Sequence, residues 1–179
     1  GYSSAASDVY KRQMPTWYGG WNNTVSYKNF DLNVFFRFSG GNKIMNASRQ
    51  SALFNMDFSN NGTEILGRWI SPEQPGDGMT PKIGYGDASS LFNDGYTDSH
   101  FVESGNYLKL STLALGYTLP KAVVSKLNMT KIRFYVQGQN LLTITGYSGL
   151  DPETNSRLGV DWNGMPQQRS FTFGANITF

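Results

Sequence analysis

The feature that most constrains this chain is a strict alternation of apolar and polar residues, which returns in several stretches. A period of two fits a β-strand with two unlike faces, and no helix can use it. In Trp21 to Lys28, Trp21, Val25 and Tyr27 share one face, while Asn22, Thr24, Ser26 and Lys28 share the other. In Phe30 to Ser39 the apolar set is Phe30, Leu32, Val34, Phe36 and Phe38. Its polar set is Asp31, Asn33, Arg37 and Ser39, with Phe35 the exception. Only Lys28-Asn29 separates these two runs, so they pair as a tight hairpin.

The run from Arg169 to Phe179 is the most regular. Phe171, Phe173, Ala175, Ile177 and Phe179 alternate with Ser170, Thr172, Gly174, Asn176 and Thr178. From Lys131 to Leu142 the pattern begins with Ile132, Phe134 and Val136 against Arg133, Tyr135 and Gln137. The run from Asn106 to Leu119 changes phase. Leu108 and Leu110 fall in one phase, and Leu113, Leu115 and Tyr117 in the other. A bulge near Ser111-Thr112 brings all five to one face.

About five strands result, each near the roughly 9–11 residues that a tilted strand needs to cross a bilayer. The connections differ in length. The link at Lys28-Asn29 is short, 119–130 is intermediate, and 40–105 and 143–168 are long and polar. Short links on one side and long loops on the other are the pattern of an outer-membrane barrel. Inside the longest loop, Ala47 to Phe58 reads as a short helix, and Pro72 to Pro81 as a turn-rich stretch. Pro120 to Leu127 reads as one or two helical turns.

A soluble sandwich also alternates, with its apolar face turned inward. Composition helps to separate the two. Aromatic residues make up 15% of the chain and charged residues 16%, against roughly 25% charged in soluble domains. The aromatics crowd toward strand ends, as Trp21 and Tyr27, Phe30 and Phe38, and Phe171 and Phe179 show. Membrane barrels carry aromatic girdles at those levels. The mean hydropathy is −0.41, and no apolar run reaches the roughly 18 residues of a membrane helix. The aromatic content excludes a disordered chain. A net charge of +2 does not suggest nucleic acid. The fold class is therefore all-β: an antiparallel meander of about five long strands, forming a partial, unclosed transmembrane β-barrel with long extracellular loops. The alternative is a soluble β-sandwich that binds carbohydrate through its aromatic residues.

Catalytic and metal motifs fail individually. The chain has no cysteine and a single histidine, His100, which reads as a polar loop residue. The segment from Asp57 to Gly62 opens like a calcium loop, but the twelfth position is Arg68 where a glutamate is required. Asp151 and Glu153 flank Pro152 and read as a solvated turn. Asn-x-Ser/Thr triplets at Asn22, Asn46, Asn61, Asn128 and Asn176 suit an Asn-rich chain, and two of them fall inside strands. Nothing supports an enzyme, a cofactor or a resident metal. Residues 1–13 (GYSSAASDVYKRQ) differ in texture from the rest and read as an unrelated leader. Residues 14–179 form the folded segment.

The last strand carries a pattern of its own. Polar Thr172, then Gly174, apolar Ile177 and aromatic Phe179 are similar to the assembly signal of outer-membrane barrels. Further blocks extend the likeness: Trp17-Tyr18-Gly19-Gly20-Trp21-Asn22-Asn23-Thr24, Asn106-Tyr107-Leu108-Lys109-Leu110 with Leu115 to Pro120, Gly138-Gln139-Asn140-Leu141-Leu142, and Tyr147 to Glu153. The Arg68-Trp69 pair, Pro166 and the closing strand also fit. Together, from residue 15 to 179, they resemble the C-terminal end of the SusC/RagA family of TonB-linked outer-membrane proteins. The resemblance implies import of oligosaccharides or peptides across the outer membrane of a Gram-negative cell. It implies a SusD-like lipoprotein partner, TonB acting through a part absent here, the barrel assembly machinery, and a C-terminus on the periplasmic side. It assigns no ligand-contacting residue to this segment.

Overall fold

A computed structural model describes residues 12–50, 60–82, 99–153 and 159–179. Eight strands are assigned: β1 (Trp17–Tyr27), β2 (Phe30–Gly40), β3 (Lys43–Asn46), β4 (Val102–Ser104), β5 (Tyr107–Thr118), β6 (Lys131–Thr145), β7 (Val160–Asp161) and β8 (Ser170–Thr178). One short helix, α1 (Lys121–Val124), continues into a 3-10 turn at Ser125–Leu127. The chain divides into two compact units. One holds residues 16–40, 106–146 and 167–179, and the other holds 1–15, 41–105 and 147–166.

The first unit is a five-stranded sheet in the order β1-β2-β5-β6-β8. Every neighbouring pair is antiparallel, so the long strands follow one another as a meander. Lys28 takes a left-handed φ of 56° in the two-residue hairpin link. The longer connections leave the sheet at its opposite end, after Gly40 and Gly146, and return at Asn106 and Gln167. The anticipated bulge is present. Phe36 pairs with Leu110 and Phe35 with Thr112, which leaves Ser111 without a partner on β2. The opposite strand compensates with Asn140-Leu141, where Asn140 has a φ of 53°.

Register turns this alternation into rows. At the short-link end, Tyr27, Phe30, Tyr117 and Phe134 line up across four strands. Next come Val25, Leu32, Leu115, Val136 and Phe173, then Asn23, Val34, Leu113, Gly138 and Phe171. Trp21, Phe36, Leu110 and Leu142 follow, then Gly19, Phe38, Leu108 and Ile144. Rings flank the aliphatic middle at both ends. Phe30 and Tyr117 lie 4.6 Å apart, and Trp21 stacks on Phe36 at 5.7 Å. Phe171 lies near the start of β8, as expected, but not at the level of an aromatic girdle. β8 begins opposite Gln139, part-way along β6, so Phe171 falls in the middle of the sheet.

This apolar face has no covering layer among the described residues. Phe171 and Phe173 are 65% and 78% exposed. In a sandwich the same side chains would be buried between two sheets. The open sheet therefore excludes the sandwich and supports a segment of membrane barrel wall.

The second unit was not foreseen as structured. β3 pairs antiparallel with β4 and parallel with β7. Met45 and Phe101 form its core, with Ile65, Val102 and Val160 packed against them. Ala47 and Ser48 begin a helical turn, while most of the helix expected to Phe58 lies outside the described residues, as do Asp57 and residues 1–11. The backbone carbonyl of Arg12 accepts from the Lys43 N–H at 2.8 Å. The turns of Pro120 to Leu127 form as expected, with Asn128 closing them at a φ of 54°.

Candidate functional site

The opposite face of the sheet is polar and is tied across strands. Asn33 Nδ2 donates to Asn22 Oδ1 at 2.8 Å and to Thr24 Oγ1 at 2.9 Å. Ser26, Asp31, Gly116, Tyr135 and Gly174 form one row. Arg133 Nε donates to Asp31 Oδ1 at 2.9 Å, and a second guanidinium nitrogen reaches Oδ2. This bidentate pair spans from β6 to β2 across β5. The space is available because the intervening residue is Gly116, where a Cβ would meet both charged groups. Arg133 also lies 5.4 Å from the Tyr135 ring centroid. The Tyr135 ring in turn occupies the space above Gly174. Farther along, Arg37 pairs with Gly20 and Lys109 in the same phase. Lys109 is 1% exposed, with Nζ 5.8 Å from the Tyr107 ring.

The residues of the closing pattern occupy both faces. Thr172 lies opposite Gln137 and Gly174 opposite Tyr135, both in the polar phase, whereas Ile177 pairs with Ile132 in the apolar phase. Phe179 follows β8 and is 85% exposed. Gly174 thus has a local reason to be glycine, a ring lying over it. The sequence pattern contains the glycine but gives no sign of Tyr135 as its partner.

The second unit holds a cleft of about 220 Å³ lined by Asn46, Ser48, Arg49, Glu64, Ser148 and Asp161 among others. Glu103 is its hub. It accepts from the Ser148 backbone N–H at 2.7 Å, from Ser148 Oγ at 2.6 Å and from Asn46 Nδ2 at 3.3 Å. Arg49 forks onto Glu64, its Nε donating at 3.1 Å and a terminal nitrogen at 2.8 Å, and it also reaches Glu103 at 3.4 Å. The bonds to Glu64 lead in holding the Arg49 guanidinium more firmly protonated than usual. Tyr147 donates to Asp161 Oδ2 at 2.6 Å. Burial, followed by that hydrogen bond, pushes the phenol pKa far up, so it stays a donor. These contacts join chain segments far apart in sequence, and no periodicity announces them.

His100 lies in this network, its Nε2 3.3 Å from an Arg49 nitrogen and its ring edge-on to Phe101 at 5.0 Å. Asp151 accepts from the Glu153 N–H at 3.0 Å. That makes a turn, as read, but Asp151 is only 5% exposed and so is not the solvated residue expected. Among the described residues no group of acidic or histidine side chains could hold a metal ion, and no helix is long and apolar enough to cross a membrane.

An open antiparallel sheet with one face for lipid and one for water is a stretch of membrane β-barrel wall. No protein-family model matches the chain. Individual proteins do. A TonB-dependent receptor of Formosa agariphila is 32% identical over 99% of this chain, which spans 18% of that receptor. The TonB-dependent receptor SusC of Bacteroides thetaiotaomicron is 26% identical over 96% of the chain, which spans 16% of it. In the RagAB peptide importer in its open-open state, one chain superposes with a TM-score of 0.77 at 26% identity, covering 93% of this chain and 17% of that one. By sequence and by fold the chain is similar to TonB-dependent receptors, SusC among them, and matches one stretch of such a barrel wall. It spans less than a fifth of the relatives it matches.

Proposed function

We propose that residues 14–179 are the C-terminal wall of an outer-membrane receptor that imports large nutrients, oligosaccharides or peptides, and that draws its energy through TonB. The observation that carries this reading is the two-faced sheet, found in a chain that matches TonB-dependent receptors along nearly its whole length. The apolar rows meet lipid. The polar rows, with Asn22, Thr24, Ser26, Asp31, Asn33 and Arg37, line a hydrated passage. A wall of this kind shapes and hydrates the path and performs no bond chemistry.

The relatives support a partner. One solved match is the RagAB peptide importer, and one relative is the TonB-dependent receptor SusC. We assign a SusD-like surface lipoprotein as the partner of the receptor that carries this segment. Thr172, Gly174, Ile177 and Phe179 then act as the strand read by the barrel assembly machinery, with the C-terminus on the periplasmic side.

The test is a knockout of the receptor gene in its native host, paired with purification of the tagged receptor from outer membranes. The reading predicts loss of growth on one class of glycan or peptide, the same loss when TonB is inactivated, and a lipoprotein that co-purifies. Normal growth on every such substrate in both mutants would contradict import.

A further inference from the structure

The short-link end of the sheet carries a charge imbalance that neither barrel closure nor import explains. Its two connections, residues 28–29 and 119–130, hold Lys28, Lys121 and Lys126 and no carboxylate. Lys131 follows at the start of β6, in the polar phase. All four lysines are exposed, and no ion pair involves them among the described residues. Two carboxylates stand against them. Asp31 is tied to Arg133, and the other is the terminal carboxylate at Phe179, beside the register partner of Lys131. The long loops are the opposite in charge. Residues 41–105 and 147–166 hold eleven of the chain's 13 carboxylates and five of its 15 cations.

Position supplies the second argument. Ile132 belongs to the apolar phase, yet it is 6% exposed, while Phe134 two residues on is 51% exposed. The difference is α1, which packs against β6 and buries its own Val124. The helical connection therefore lies on the lipid side. There it leaves Val123 and Leu127 exposed, four residues apart and so on one side of the turn. The row of Tyr27, Phe30, Tyr117 and Phe134 sets the level at which aromatic rings meet headgroups. Lys28 Nζ stays 5.3 Å from the Tyr27 ring, at that level.

We propose that this end of the sheet binds anionic phospholipid headgroups. Lys28, Lys121 and Lys126 meet the phosphates, and Val123 and Leu127 enter the boundary with the acyl chains. Basic side chains beside a short apolar anchor are the chemistry of an anionic leaflet surface. The inference rests on the barrel reading above.

The full-length receptor carrying this segment is reconstituted in vesicles of phosphatidylcholine mixed with phosphatidylglycerol. It is then released in mild detergent, and retained lipids are counted by native mass spectrometry. The wild type is expected to retain phosphatidylglycerol in preference, and molar salt during release removes the preference. The K28Q/K121Q/K126Q variant should lose the preference about tenfold, whereas K82Q, in a long loop, keeps it. If the triple variant does not fold, K121Q and K126Q singly carry the test, since neither belongs to a strand. Equal retention of both lipids by the wild type, or unchanged preference in the lysine variants, overturns the proposal. So does a bound protein at this end whose capture leaves lipid preference indifferent to the lysines. A receptor without a heat-resistant folded band in vesicles refutes the barrel reading itself, and a folded band with equal retention refutes only this one.

Discussion

Gly116 lacks a side chain where Asp31 and Arg133 meet across it. Gly116→Val pushes the carboxylate and guanidinium apart and strains the strands on either side. The expected cost is about 1–3 kcal/mol, in line with overpacking at a filled site, read from urea unfolding of the receptor in vesicles. Gly174→Val should act similarly through the displaced Tyr135 ring. Asp77 offers a pH test in the loops. The Thr80 backbone N–H leads in holding its carboxyl below the usual range, followed by the Thr80 hydroxyl and the Met79 N–H, with bonds of 2.7 and 2.8 Å from the two amides. A carboxylate with a lowered folded pKa stabilises its turn above the unfolded value of about 4 and ceases to as pH falls through the lower folded one. Amide exchange at Met79 and Thr80, corrected for intrinsic rate, should therefore lose protection below about pH 4. In Asp77→Ala these amides should be unprotected already at neutral pH. Equal protection in both proteins would remove Asp77 from the turn.

At the scale of the strand, a charge reports which face it meets. Val34 lies in the middle row, between Asn23 and Leu113. Val34→Arg should cost about 2–4 kcal/mol near the bilayer midplane, and Asn33→Arg, in the polar phase, little. Equal folding yields in lipid vesicles would contradict the assignment of faces. These strands were legible because a pleat writes its two environments into every second residue. Even the bulge could be read, since Leu110 and Leu113 share a face only if one residue between them is skipped. The tie from Asp31 to Arg133 was not legible. It joins residues 102 apart, and only register places them on either side of a glycine. The small sheet was missed for a different reason. β3, β4 and β7 have four, three and two residues, too few for alternation to show. Their order comes from packing around Phe101 and from the bonds that converge on Glu103.

On the scale of the whole molecule, two edges of the sheet stay open among the described residues, at β1 and β8, so this stretch closes only within a larger barrel. In the proposed reading, Phe179, which follows β8, belongs to the strand that the assembly machinery recognises. Deleting Phe179 should lower the amount of receptor that reaches the outer membrane, more than deleting one residue from 154–158 does. Uptake per inserted molecule should not change. Surface abundance and uptake measured on the same cells separate the two, and normal abundance with lost uptake would assign Phe179 to transport. The central claim, a wall between lipid and water, is tested most directly by spin labels placed one at a time along β5, from Leu108 to Tyr117, in the full-length receptor in bilayers. Oxygen, which concentrates in lipid, should relax labels at 108, 110, 113, 115 and 117. A water-soluble nickel chelate should relax those at 109, 112, 114 and 116, with the phase stepping at Ser111. Uniform exposure to one reagent, or an alternation that runs through Ser111 without a step, would contradict the account.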